Sequence, residues 1–188
     1  MHFWGHLKTV THHRFLVMQG CFRVGLYYQG LTHDLSKFSP TEFREGIKYY
    51  QGTRSPNARE REEKGYSLAW MHHKGRNRHH YEYWTDLSTV TFRYEPVQMP
   101  RRYLVEMVMD RRAACMTYQG KNYTDASPYI YFARSRERLM MHPETERQLA
   151  YLLEMLRDRG ERETFRYMKN SVLQNKPFPW EMNVTEGV

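Results

Sequence analysis

The chain has only two cysteines among its 188 residues, Cys21 and Cys115. Two are too few for a disulfide framework, and their spacing excludes a Cys-x-x-Cys metal pair. Both lie in apolar surroundings, where cysteine behaves as a small hydrophobe, and a reducing cytoplasm is the expected setting. Long hydrophobic runs are missing as well. No stretch approaches the roughly 18 apolar residues of a membrane span, so no membrane partner is expected. The opening MHFWGHLKTVTHH lacks an apolar core and a small-residue cleavage site, which argues against a secretion signal. Turn pairs of the Asn-Gly kind are absent, and with them the strongest signal for a β-hairpin. No repeat, low-complexity block or linker divides the chain, and one domain over residues 1–188 is expected.

Acids are outnumbered, 21 against 29 Lys and Arg, for a formal charge of +8. That balance favours anionic partners: phosphorylated small molecules, nucleic acid or an anionic surface. Runs such as NAREREEKG and LRDRGERETFR interleave the two signs and read as solvated helical faces. A basic nucleic-acid-binding module would use RRY at 101–103 and RSRER at 134–138, but no nucleic-acid motif accompanies them.

What is present is helical patterning. Phe3, Leu7, Val10, Arg14 and Val17 recur at helical spacing, as do Phe22, Leu26 and Leu31. SPTEFREGIKYY opens with Ser39 as cap, Pro40 in the first turn and Glu42 three residues on, the signature of a capping box. QGTRSPNAREREEKG reads as a polar loop with a helical turn in its middle. YSLAWMHHK is a short helix stopped by GRN, a further helix is expected from RHHYEYW, and residues 90–99 read as extended. PRRYLVEMVMDRRAACMTYQG is a strong helix between Pro100 and Gly120. PETERQLAYLLEMLRDRG is amphipathic, and ERETFRYMKNSVL continues it, giving C-terminal helices over about 143–173. The expected fold class is all-α.

Ten histidines are many for this length, and they are unevenly placed. His12 and His13 sit on the first helix, His33 and Asp34 adjoin, and His72, His73, His79 and His80 crowd into MHHKGRNRHH. Asp110 interrupts the apolar run YLVEMVMD, where a buried carboxylate costs several kcal/mol unless paired or bound to a cation. Arg14, Arg111 or Arg112 would serve as its plain partner. Imidazole nitrogen with carboxylate oxygen equally suits a divalent transition metal: Fe, Mn, Zn, Co or Ni. One His of the first helix, the His33-Asp34 pair and Asp110 would hold one ion, two later histidines a second, with a carboxylate between them.

The order His, His-Asp, His, His, Asp resembles the HD superfamily of metal-dependent phosphohydrolases, all-helical bundles built around such a motif. His13 followed by Val17 is similar to the His-x-x-x-Val step of that family, and GLTHDLSKF to its apolar approach to His-Asp-x-x-Lys. The likeness covers about residues 6–120. GLTHDLSKFSPTEF, AWMHHKGRNRHHYEYW and MPRRYLVEMVMDRRAA look closer still to an uncharacterised bacterial family near that superfamily.

The resemblance implies an HD-type helical bundle with His13, His33, Asp34, His73, His80 and Asp110 as ligands of one or two ions. His72 and His79 remain the alternatives within their pairs, because consecutive helical residues point about 100° apart. His6, seven residues before His13, would stand behind the ligands. The implied reaction is hydrolysis of a phosphate ester, a nucleotide among the options, with Asp34 and Lys37 as catalytic residues. Arg14, Lys37, Lys74 and Arg76 would bind substrate, with Arg78 near them, and Glu42 and Glu82 are candidate proton carriers. The aromatics of YEYW, with Tyr49 and Tyr50, would stack a base. A branch of the same superfamily implies the competing chemistry, O2 activation at two irons. A homo-oligomer is open.

Overall fold

The computed structural model describes residues 2–182. They are mainly helical, 71% helix against 3% strand, and the fold is all-α. The first helix, α1 (Phe3–Val24), ends where Gly25 takes φ 90° and its N–H closes on the carbonyls of Cys21 and Phe22. That left-handed cap is open to glycine at no steric cost. The short α2 (Tyr27–Thr32) follows, then a 3₁₀ turn over Leu35–Phe38 and α3 (Pro40–Lys48). Ser39 caps α3 by accepting the Glu42 N–H, with Pro40 in the first turn, as the sequence indicates.

The polar run after α3 is more ordered than its composition suggests. It forms α4 (Pro56–Lys64), nine residues rather than a single turn. Glu60 holds it against the next helix, accepting from the Ser67 hydroxyl and the Leu68 N–H. The helix α5 (Leu68–Lys74) then begins with Ser67 as its cap.

Two expectations fail at the next segment. No helix grows from RHHYEYW; the chain makes one 3₁₀ turn at Tyr81–Tyr83. It then pairs β1 (Thr85–Leu87) with β2 (Tyr94–Pro96), antiparallel, with Asp86 opposite Glu95. The hairpin needs no Asn-Gly pair because Ser88 accepts the N–H groups of Val90 and Thr91, and Phe92 takes φ 53°. Side-chain turn bonds of this kind substitute for a glycine turn.

The core lies where α1 crosses α6 (Arg101–Gln119) and both meet α8 (Pro143–Tyr167), with α7 (Ser127–Ser135) alongside. Val17, Cys21, Leu104, Val108, Leu149 and Leu153 are fully or nearly fully buried in it. Gly20 lets α1 and α6 approach closely: a Cβ there would stand 2.7 Å from Met109 Sδ. The C-terminal helix is broken at Gly160, φ 73° and ψ 175°, and ends in a π turn over Met168–Val172 before the short α9 (Pro179–Met182). Among the described residues no helix is long and apolar enough to cross a membrane.

Candidate metal centre

Five separate pieces of chain bring the candidate donors together. His13 comes from the middle of α1, His33 and Asp34 from the link after α2, His73 from the end of α5, and Asp110 from the middle of α6. His79 and His80 come from the turn after α5. Asp34 takes φ 54°, the left-handed conformation that aspartate tolerates better than most residues. Arg14 fixes this corner by donating to the carbonyls of His33, at 2.7 Å, and Leu31, at 3.1 Å.

Asp34 is 1% exposed, and its two oxygens face two histidine sets. Oδ1 lies 3.2 Å from His73 Nε2 and 3.4 Å from His79 Nε2. Oδ2 lies 3.4 Å from His33 Nε2 and 3.8 Å from His13 Nε2. Asp110 Oδ1 completes the second set, 2.9 Å from His13 Nε2 and 3.6 Å from His33 Nε2. Donors of His13, His33, Asp34 and Asp110 fall within 4.8 Å of one another, and so do those of Asp34, His73, His79 and His80.

These donors fit a metal. The Nε2 atoms of His33, His79 and His80 and Asp34 Oδ1 are buried without a hydrogen-bond partner, while His13 Nε2 meets Asp110 and Asp34 Oδ2 meets Lys37. Buried polar atoms left this way are expensive. Neighbouring ligands of one tetrahedral ion, each at about 2.1 Å, stand about 3.4 Å apart, close to the separations seen between the Nε2 atoms and the carboxylates.

Carboxylates also stand behind the histidines. Glu106 Oε1 is 2.9 Å from His33 Nδ1 and 3.1 Å from His79 Nδ1. Glu42 Oε2 is 2.8 Å from His73 Nδ1, and its Oε1 is 2.7 Å from His72 Nδ1. An Nδ1–H donated to a carboxylate leaves Nε2 as the lone-pair atom and makes it a better ligand. His33, His79 and Glu106 also form a compact group of their own, held through those Nδ1 atoms. Electrostatics follow the same layout. Burial opposes charge on Asp34, but His33, Lys37 and His73 outweigh it and hold the carboxyl well below its usual range. Burial, with Lys37 nearby, pushes His13 down, and burial with His79 and His73 pushes His80 far down. Those two are neutral at pH 7, the form that can ligate, whereas Asp34 outweighs burial at His33 and His73 and raises both, so an ion there would displace their protons.

The structure thus brings His13, His33, Asp34, His73, His80 and Asp110 together. His79 joins His80 in the same group, because the pair lies in a turn where the helical 100° rule does not operate. His72 turns instead to Glu42 and stays out of both groups. Asp110 meets His13 and not an arginine; Arg112 pairs with Glu161, and Arg14 with backbone. Glu106 is absent from the sequence reading. It lies four residues before Asp110, so two acids share one face of an apolar helix, and that spacing was the available signal.

A cavity of about 620 Å³ opens onto the ligands, bordered by His13, Lys37, His73, His80 and Asp110. Lys37 Nζ stands 2.7 Å from Asp34 Oδ2. Arg14, Lys74 and Arg76, expected to bind substrate, are not among the residues that border it. Arg76 is exposed, and Arg78 donates to the Tyr103 hydroxyl. Instead Arg54 and Arg111 supply the other cations of the wall, and Tyr50, Tyr81, Tyr118 and Tyr131 with Trp70 much of its aromatic surface. Of YEYW, Tyr81 and Glu82 border the cavity. Tyr49 faces Glu63 instead. His6 lies on the cavity wall against Gly46, where burial and Lys37 lower its pKa to about 4.

The profile of one protein family covers residues 2–155, a span that holds every candidate ligand together with Glu42 and Glu106. No curated protein and no solved structure matches the chain. On the strength of that coverage the chain belongs to DUF5662, a family of unknown function.

Proposed function

We propose that this chain is an HD-type metal-dependent phosphohydrolase that binds two divalent ions and acts on a phosphate ester. One observation carries the reading: the two oxygens of a single buried carboxylate, Asp34, each face a separate set of histidine Nε2 atoms. Bound between those sets, divalent ions would acidify a water and offset charge on phosphoryl oxygens. The chain's own groups supply the rest. Asp34 would offer one oxygen to each side, and His13, His33 and Asp110 would hold one ion while His73, His79 and His80 would hold the other. Lys37 keeps its positive charge beside Asp34, since that carboxylate outweighs burial and raises its pKa. The ammonium borders the cavity and can turn a spare N–H to a phosphate oxygen. The tyrosine-rich wall shields the reacting group from bulk water.

Metal content per chain, measured on protein purified without added metal or chelator, tests this reading together with phosphate release from a panel of esters. Two equivalents of metal with phosphate release support it. Asp34→Asn suits the left-handed backbone, and should abolish both with the circular dichroism spectrum unchanged. Full metal retention in that variant would remove the site assignment. Two irons with O2 consumption and no phosphate release would move the chemistry to oxygenation on the same ligands.

A further inference from the structure

Among the described residues the cavity wall has three Lys or Arg side chains, and two of them are already engaged. Lys37 stands 2.7 Å from Asp34, and Arg54 makes paired hydrogen bonds to Glu62 at 2.5 and 2.7 Å. Arg111 is different. It follows Asp110 on α6 and lines the cavity, yet among the described residues it has no carboxylate at ion-pair distance, and its Nε is buried without a hydrogen-bond partner. The Phe132 ring centre lies 5.8 Å from its guanidinium carbon. A ring face at that distance offsets only part of the loss of water around a guanidinium.

The neighbouring arginine sharpens the contrast. Arg112, about 100° further round α6, is held by Glu161. Two adjacent arginines on one helix thus have opposite fates, one neutralised within the fold and one left open in the cavity next to a metal-ligand candidate. Glu82, on the same wall, also has a buried oxygen without a partner, Oε2, but it does not reach Arg111 to form an ion pair.

We propose that Arg111 is the anion anchor of the cavity, the residue that holds the phosphoryl group of the ligand from the protein side. Guanidinium presents paired N–H donors in a plane that matches two phosphate oxygens, and a phosphate would complete the bonding that the fold leaves open. Glu82 then accepts from a hydroxyl of the esterified alcohol, so the ligand class is a phosphate ester of a hydroxyl-bearing alcohol. This assignment deepens the phosphohydrolase reading and rests on it for the reaction. It replaces Arg14, Lys74 and Arg76, which the sequence suggested for the same task.

The test is calorimetric binding of inorganic phosphate to the whole chain, both with its metal retained and after metal removal. The variants are Arg111→Gln, Arg111→Lys and Arg76→Gln. The expected result is a loss of at least tenfold in affinity for Arg111→Gln in both metal states, with metal content and circular dichroism unchanged. Arg111→Lys keeps the charge but loses the fork and should fall between. Arg76→Gln should bind as the parent does. Parent-like phosphate binding in Arg111→Gln would overturn the proposal, and so would binding that needs metal and ignores Arg111. If the protein takes up no metal but binds phosphate through Arg111, the hydrolase reading fails while the anchor stands.

Discussion

One carboxylate oxygen of Glu106 lies 2.9 Å from Nδ1 of His33. The same oxygen lies 3.1 Å from Nδ1 of His79, so a single acid orients one histidine from each ligand set. Glu42, by contrast, reaches only His73 among the grouped histidines.

This asymmetry separates two variants. Glu106→Ala should weaken both metal equivalents, by about 10- to 100-fold each, the usual effect of losing such a support. Glu42→Ala should weaken one and leave the other. Stepwise addition of Co(II), followed by its absorption spectrum, distinguishes the two patterns. Loss of a single equivalent in Glu106→Ala would contradict the shared support.

Gly46 is the point where α3 meets α1. A Cβ at this position would stand 2.2 Å from His6 Nε2, and His6 is buried. Gly46→Ala should therefore destabilise the chain by about 1–3 kcal/mol, the range for overpacking. Adding His6→Ala should restore part of that loss, a non-additivity expected of touching residues. Thermal unfolding of the single and double variants measures it.

Glu161 ties α8 to both other core helices. It accepts from Arg23 of α1, at 2.6 Å, and from Arg112 of α6. Burial raises its pKa, but the Arg23 hydrogen bond and the Arg112 charge outweigh that and leave it lowered. A carboxyl lowered in the folded state stabilises fully above its unfolded pKa, about 4.3, and loses that contribution as pH falls through the folded value. Urea unfolding from pH 7 down to pH 3 should show a steep stability loss below about pH 4.3, flattened in Glu161→Gln. Identical slopes would remove Glu161 from this role.

Gly160 takes φ 73° and ψ 175°, a conformation that side chains seldom adopt. Gly160→Ala should cost about 1–3 kcal/mol by forcing that strain or straightening the helix. Denaturant midpoints of the two proteins provide the comparison.

The helices that carry strong signals are legible in the sequence because their information is local. Pro100 and Gly120 bracket α6, and Ser39 with Pro40 opens α3. The break at Gly160 was not legible, since a lone glycine in an amphipathic run looks tolerable until its backbone angles are known. The hairpin was hidden for a related reason: Ser88 and Phe92 make its turn by side-chain bonding and an uncommon φ rather than by a glycine pair. At the site, the histidines announced themselves by number and spacing, but the inward member of each pair depends on turn geometry. His79 and His80 both enter because they are not helical, while His72 is drawn off by Glu42. Arg111 and Arg112 were indistinguishable as letters; which one a partner claims is a property of the assembled helices.

The Arg14 bonds to the carbonyls of Leu31 and His33 have a mechanical consequence. Arg14 adjoins His13 on α1, so one helix carries a ligand and also grips the backbone of the next ligand. His13 and His33 therefore move as one body, and Asp110 is fixed to it through the α1–α6 crossing at Gly20. His79 and His80 sit in the turn before an exposed hairpin, and the Glu106 carboxylate of α6 ties His79 to the same body. The two donor groups thus share one frame, built on α1 and α6.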